Sequence, residues 1–373
     1  MELHVIETRP DSLEYPWEFH ANDASYKIYQ LGNPPDPEQG FIGKELRTKI
    51  EKILKELTPE VIVTVGWADQ EYHETLLWAM AHQVPCSVIS DSGWDDVKRH
   101  YLTEKLKQLI VSCFSSALVA GKRSKDYLEK LGMPGENIFT AWDVVDNEYY
   151  AKTVADLKER RRDDFNLPDQ YWLCVSRFIS KKNLLGLIRA FDQFVKSGGE
   201  AYTLLLLGTG ELEEEIKNEV LKRGLPERVI LPGFVQIEEL PNYYAFAEAL
   251  ILPSFADQWG LVVNEAMASG LPVLVSRQCG CTDDIVMNGI NGFIFDAFDE
   301  ADMIKAMTNF HALSQDQRSR FSAESKKIIS NYNLNAFAEG LKKAAEKAKE
   351  NFAGYRLNQK VILKAIRSVD RFR

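Results

Sequence analysis

Short, uniformly apolar runs alternate with longer amphipathic segments along almost the whole chain. The runs are VIVTVG (61–66), CSVIS (86–90), SALVAG (116–121), YWLCVS (171–176), TLLLLG (203–208), VILPGF (229–234), EALILP (248–253) and PVLVS (272–276). A strand with one face in water alternates apolar and polar residues, whereas one covered on both faces is apolar throughout. Segments between them, such as NLLGLIRAFDQFVKSGG and LEEEIKNEVLKRGL, carry the apolar spacing of helices. Strand–helix alternation of this kind predicts an α/β protein with parallel, doubly wound sheets.

The alternation breaks near residues 150 to 168, where DNEYYAKTVADLKERRRDDFNLPDQ is polar, charge-dense and carries a Pro just before the strand at Tyr171. It reads as a linker between two sheets. The expected organisation is a first domain over 1–155, a second over 156–350 and a C-terminal helix over 351–373. Two such domains face each other across a central cleft and bind ligands there, at the carboxyl ends of their strands. That rule selects loops 66–73, 90–99, 121–123 and 141–147 in the first domain. In the second it selects 176–183, 208–211, 233–239, 254–261 and 276–283.

Composition narrows the picture. The chain has 373 residues, 45% hydrophobic and 27% charged, which is a folded and not a disordered composition. A net charge of -10 argues against nucleic acid as a partner. No apolar run approaches the roughly 18 residues of a membrane span. The opening MELHVIETRPDSLEYPWEFH lacks a basic-then-apolar secretion signal. The five cysteines, an odd number found mostly in apolar runs, read as reduced, buried thiols of a cytoplasmic protein. Cys279 and Cys281 form a lone C-x-C pair with no second pair or neighbouring His, so no metal is expected there.

Three loops of the second domain carry candidate chemistry. In CVSRFISKKNLLGL, Arg177 and Lys182 flank the start of a helix near Asn183. A forked guanidinium, a point charge and a helix start suit a phosphate, though such a loop is also what a solvated basic turn looks like. In LLLLGTGELEEEI, the Gly208-Thr209-Gly210 turn lets a ligand approach the backbone, and the acidic helix after it favours a neutral base or ribose over phosphate. Taken alone it is an ordinary tight turn. In ILPSFADQWGLVVNEAMASGLPVLVS, Gly260 and Leu261 open a helix with free first-turn amides, and Glu265 shares a face with that turn. Asp257 stands in the loop ahead. Amide donors flanked by two carboxylate acceptors suit a molecule with hydroxyls at both ends and phosphates between, a nucleotide-sugar. The plainer reading is a solvated Asp and a helix-surface Glu.

SRFISKKNL, LLGTGE, ILPGFVQIEELPNYYAFAEALILPS, DQWGLVVNEAMASGLPVLVS and GCTDDIVMNGINGFIFD succeed one another over most of 171–300. In order and spacing this set resembles the retaining GT-B glycosyltransferases of family 4 (group 1). The resemblance implies two Rossmann-like domains and a nucleotide-sugar, UDP first among the candidates, as co-substrate, with no cofactor and no metal. It implies that Arg177 and Lys182, preceded by Ser176, grip the donor diphosphate. Asp257 would then contact sugar hydroxyls and Glu265 the ribose. Trp259, Gly260 and Leu261 would hold sugar and phosphate, and Val235 would lie against the base. The family usually has Glu where this chain has the shorter Asp257.

A weaker continuation runs through ALVAGKRSKDYLEKLGMPGENIFTAWDVVDNEYY, where Val144 takes the place of the Gly in a Gly-Val-Asp turn. Asp69, Asp91, Ser92, Asp95 and Arg99 are the polar candidates for acceptor contacts in the first domain. Family members usually open with a strand, a Gly-rich loop and a helix. Here ELHVIE looks like the second strand of that pattern, so the first domain is expected to lack the opening unit.

GKELRTKIEKILKEL (43–57) and VKRHYLTEKLKQLIVSCF (97–114) are basic on one side and apolar on the other. Such helices can lie on an anionic membrane surface, although packing with a solvated face is commoner. The basic tail YRLNQKVILKAIRSVDRFR is expected to cross back to the first domain.

The resulting expectation is a retaining hexosyltransferase that carries sugar, glucose as first guess, to a saccharide or lipid-linked acceptor in polysaccharide synthesis. It would be cytoplasmic, with a possible peripheral contact on the inner membrane face. The rivals are a nucleotide-sugar epimerase on the same fold and a non-catalytic nucleotide-sugar binder.

Overall fold

The structure is a computed structural model that describes residues 2–8, 26–32, 40–160, 165–357, 359–361 and 363. In the first half, β1 (His4–Glu7), β2 (Lys27–Gln30), α1 (Gly43–Leu57), β3 (Ile62–Val65), α2 (Gln70–His82) and β4 (Cys86–Ser90) follow in order. Then come α3 (Tyr101–Val111), β5 (Ser116–Val119), α4 (Lys122–Lys130), β6 (Ile138–Phe139) and α5 (Asn147–Lys158). Strands β3-β4-β5-β6 form one parallel sheet in that order, and β1 and β2 form a separate parallel pair. Leu46, Ile50 and Leu54 of α1 and Leu76 and Ala79 of α2 close over the four-stranded sheet.

The second half begins with β7 (Tyr171–Val175), α6 (Leu184–Phe194), β8 (Thr203–Leu207), α7 (Glu213–Lys222), β9 (Val229–Gly233), α8 (Leu240–Phe246) and β10 (Ala249–Leu252). It continues through α9 (Val262–Ala268), β11 (Val273–Ser276), α10 (Thr282–Ile285), β12 (Gly292–Phe295), α11 (Glu300–His311), α12 (Gln315–Ile329) and α13 (Leu334–Asn351). Its six strands are all parallel, in the order β12-β11-β10-β7-β8-β9. The order reverses between β10 and β7, so the crevice for a ligand opens between the loops that follow these two strands. The core covers both faces: Leu173, Leu205 and Leu250 on one side, Trp172, Leu204 and Ile251 on the other.

All eight apolar runs are strands. The sequence reading passes over β2, β6 and β12. β6 has two residues, and β2 is exposed at both ends, so neither presents a run of buried positions.

The structure draws the domain boundaries elsewhere than the polar linker suggests. Helix α5 follows the first sheet in sequence, yet Tyr150, Val154 and Leu157 pack into the second domain's core with Tyr244 and Ala266. The return begins at Leu334 and not at 351. Helix α13 lies on the first sheet, where the Ser116 hydroxyl donates to the Ala344 carbonyl at 2.6 Å. Gly340 permits this: a Cβ there would sit 2.9 Å from both Leu118 Cδ1 and the Thr140 carbonyl. Beyond α13, the Tyr355 hydroxyl donates to the Val84 carbonyl at 2.9 Å and Leu363 is buried in the first core. Residues 364–373 of the basic tail lie outside the described residues.

Candidate functional site

The crevice between β7 and β10 is built from two loops that touch. The Phe255 amide donates to the Lys181 carbonyl at 2.8 Å. The Lys182 ammonium stands 2.5 Å from Asp257 Oδ2, with the Ser254 hydroxyl 3.5 Å from the same oxygen. Both partners of this ion pair are largely buried. Lys182 ends a single helical turn, Ser180–Lys182, that closes on Asn183 in the left-handed conformation at φ 52°. Asn183 tolerates that geometry, and its side-chain amide is anchored on the Ala297 carbonyl at 3.0 Å. Half-buried Arg177 lies at the start of the same loop, directly after β7.

Gly208 and Gly210 are read in the sequence as a place for a ligand to approach. In the structure the side on which a Cβ would stand is already taken by the chain. A Cβ on Gly208 would lie 1.9 Å from the Ser176 carbonyl oxygen, and one on Gly210 would lie 2.6 Å from that of Phe178. Their φ angles of 133° and 156° also disfavour a side chain. The Phe178 amide donates to the Thr209 carbonyl at 2.8 Å, so this turn fixes the loop that carries Arg177 and Lys182. The Ser176 hydroxyl is buried, with no oxygen or nitrogen hydrogen-bond partner among the described residues.

Glu265 is buried and not a helix-surface group, with 8% of its area exposed. It accepts a hydrogen bond from the Tyr244 hydroxyl at 2.7 Å, and burial pushes its carboxyl up to about 7. Tyr150 packs edge-on against Tyr244, with ring centroids 6.0 Å apart. Trp259 is buried as well. Its indole N–H donates to Asn264 Oδ1 at 2.9 Å, and the Asn264 amide reaches the Asp143 carbonyl of the first domain at 2.9 Å. Gly260 turns at φ 96°, Leu261 is exposed, and Val235 is buried in the core beside this region.

The acceptor-side candidates separate. Asp91, at the carboxyl end of β4, reaches the second domain, where its Oδ1 accepts from the Gln258 amide at 3.2 Å. Burial, and next the charge of Asp257, raises its carboxyl above the usual range. Ser92 follows it, its amide bonded to the Ser90 hydroxyl at 3.2 Å, and Asp69 precedes α2 at the end of β3. Asp95 is exposed beside Trp94.

Arg99 is engaged within its own domain. Its guanidinium lies over the Tyr127 ring at 4.4 Å and donates to the Tyr127 hydroxyl and the Trp94 carbonyl, with Glu104 3.6 Å away. It is a clamp on the loop before α3.

The sequence reading overlooks Asp143. Its Oδ2 is buried without a partner among the described residues, and burial, then the charges of Asp91 and Asp257, pushes its carboxyl up to about 7. Three carboxyls from two domains therefore converge where Lys182 enters. Lys181, exposed in the same loop, lies close enough to Asp91 to pull its carboxyl down. The only hint in the sequence is that Asp143 belongs to loop 141–147, one of those expected to face the cleft.

The two domains are also tied at the rim. Arg123 donates to both Asp283 oxygens at 2.9 and 3.0 Å, to the Arg277 carbonyl at 2.8 Å and to Thr282 Oγ1 at 3.0 Å. Asp284 accepts from the Lys122 amide at 3.0 and 3.2 Å, closing the first turn of α4 from the opposite domain. Gly121 sits at this junction. A Cβ there would meet Asp284 Oδ2 at 2.5 Å and Trp259 Cζ3 at 2.6 Å. Cys279 and Cys281 are buried free thiols behind the rim, and among the described residues no group of His, Cys, Asp and Glu is arranged to hold a metal.

Residues 156–328 match the family described as Glycosyl transferases group 1. An O-antigen chain mannosyltransferase of Escherichia coli is 26% identical over 179 residues, 48% of this chain and 47% of its own length. A sulfoquinovosyl transferase of Arabidopsis thaliana is 34% identical over 119 residues, 31% of this chain and 22% of its own length. The chain thus spans about half or less of the curated relatives it matches. Among solved structures, Anabaena HepE in complex with UDP and glucose superposes with a TM-score of 0.65 at 16% identity, covering 85% of each chain. Sucrose-phosphate synthase from Thermosynechococcus elongatus superposes with a TM-score of 0.68 at 18% identity, over 93% of this chain and 88% of that one. These likenesses extend the two-domain GT-B fold to nearly the whole chain. Residues 156–328 thus match the group 1 glycosyltransferases, on a fold shared with the GT-B structures.

Proposed function

We propose that the chain is a retaining glycosyltransferase that moves a hexose from a nucleotide-diphosphate sugar to a hydroxyl of a saccharide or lipid-linked acceptor. UDP-glucose is the first candidate donor and polysaccharide synthesis the first candidate setting. The observation that carries the reading is the meeting of the Arg177–Lys182 loop with Asp257 across the strand-order reversal, opposite Asp91 and Asp143 of the other domain.

In this reading the bond from sugar C1 to the diphosphate oxygen breaks, and the departing UDP keeps the electron pair. Arg177 and Lys182 stabilise the charge that develops on it. Lys182 exchanges its contact with Asp257 for one with phosphate, which frees the Asp257 carboxylate for sugar hydroxyls. The acceptor oxygen bonds to C1 on the face the leaving group vacates, and its proton passes to the departing phosphate oxygen. Configuration is retained and no protein nucleophile is needed. Asp91 and Asp143 orient the acceptor hydroxyl, while Glu265, fixed by Tyr244, accepts from the ribose. The protein's own cations supply the positive charge, so activity is expected to survive EDTA.

Calorimetry with UDP, together with product analysis after incubation with UDP-sugars and candidate acceptors, tests the proposal. Arg177→Ala and Lys182→Ala are each expected to lower UDP affinity by about tenfold to a hundredfold, the weight of one charge-assisted contact. Near-normal affinity in both variants refutes the diphosphate assignment. An acceptor-independent change of the sugar identifies an epimerase instead, and binding without turnover a sensor.

A further inference from the structure

The two basic amphipathic helices of the first domain have different surroundings. Helix α1 buries Leu46, Ile50 and Leu54 in the core, so its apolar side is covered. Helix α3 buries Glu104, Ile110 and Val111 but leaves apolar residues in solvent. Tyr101 and Leu102 are each 74% exposed, and Val97 in the loop before them is 60% exposed. Trp94 and Leu109 add 40% and 39%. Leu102, Lys105 and Leu109 follow one another at helical spacing, which places them on one stripe. Monomer surfaces scatter such residues singly; a contiguous group marks an interaction site.

The charge around this group is positive in a chain whose net charge is -10. Lys98 and Lys105 are exposed within it. Lys105 stands 5.6 Å from the Tyr101 ring centroid, and Lys130 stands 4.6 Å from that of Trp94. Two of the nearby carboxylates are committed. Glu104 turns inward to Tyr127 and Lys107, and Asp96 accepts from the Gly93 amide at 2.6 Å. Asp95, and Glu129 next to Lys130, are exposed.

We propose that the Trp94–Leu109 face docks on an anionic lipid bilayer. Val97, Tyr101 and Leu102 enter the headgroup–acyl boundary, Trp94 lies at headgroup depth, and Lys98, Lys105 and Lys130 meet the lipid charge. A symmetric contact between two copies would instead set these lysines against each other. The contact is peripheral in kind, since among the described residues no helix is long and apolar enough to cross a membrane. The face begins where the Asp91 loop leaves β4, so docking brings the first-domain side of the cleft to the lipid surface. The proposal stands on exposure and charge and does not depend on the transfer reaction.

The test is co-sedimentation of the full chain with phosphatidylcholine vesicles, with and without about 30% phosphatidylglycerol. Binding is expected with the anionic vesicles and weakens in high salt. Tyr101→Ser with Leu102→Ser, and separately Lys98→Glu with Lys105→Glu, are each expected to weaken it at least about tenfold. These positions are exposed, so both variants should melt with the wild type. Absence of binding to anionic vesicles, or binding untouched by both variants, overturns the proposal. So does a dimer in sedimentation velocity that the same substitutions dissociate, which would assign the face to a second copy.

Discussion

The two walls of the cleft are built differently and carry opposite charge. On the second domain's wall, Arg177, Lys181 and Lys182 sit on a loop held from below by the Gly208–Gly210 turn and from the side by Phe255. On the first domain's wall, Asp91 and Asp143 present carboxyls that burial and the charge of Asp257 drive toward the protonated form. The cationic wall is backed by a six-stranded sheet with both faces covered, the acidic wall by a shorter one. Positive charge is thus held on the wall with the larger sheet, where the proposed diphosphate would bind. The carboxyls stand on the side from which the proposed acceptor would enter.

Asp257 is the residue that most sharply divides the two walls, because it belongs to the cationic one by sequence and to the acidic one by charge. Asp257→Ala is expected to cut transfer by about a hundredfold to a thousandfold, the scale of losing one contact strengthened in the transition state. UDP affinity in the same variant is expected to hold or to tighten, since Lys182 loses its competing carboxylate. Parallel kinetics and calorimetry decide it, and equal losses in both would remove Asp257 from the sugar.

Glu265 offers the next largest effect, read in stability. Its carboxyl titrates near 4.5 unfolded and about 7 folded, so between those values the native state holds more protons than the unfolded one. Unfolding free energy should therefore fall as pH rises from about 4.5 to about 7, by about 3 kcal/mol from this group alone. Denaturant melts across that range should show the slope, and Glu265→Gln should flatten it. An unchanged slope would show that the carboxyl is solvated and not buried against Tyr244.

The rim offers the smallest effect. Arg123→Ala removes a half-exposed fork onto Asp283 and should cost about 1 kcal/mol or less. Its clearer signature should be a wider separation of the domains by small-angle scattering. An identical scattering curve would mean that other contacts alone hold the cleft closed.

How much of this was legible in the sequence depended on how locally each feature is encoded. Most of the eight strands announce themselves because burial on both faces demands unbroken apolar runs, whereas β9 is apolar yet partly exposed, and the ordered second-domain motifs carry their own spacing. β6 escapes because two residues make no pattern. The placement of α5 escapes because an amphipathic helix shows that it packs, not on which domain. Gly208 and Gly210 are visible as a turn, but only coordinates reveal that the close neighbours are Ser176 and Phe178. Asp143 resembles any loop aspartate until Asp91 and Asp257 are brought beside it.

Gly121 has a consequence for how tightly the molecule shuts. The hydrogen in place of its side chain is what allows the tip of α4 to nest against Trp259 and Asp284. One added methyl would act as a doorstop, propping the lobes ajar while leaving each of them folded. The aperture of the whole molecule is in that sense gauged by an atom that the chain leaves out.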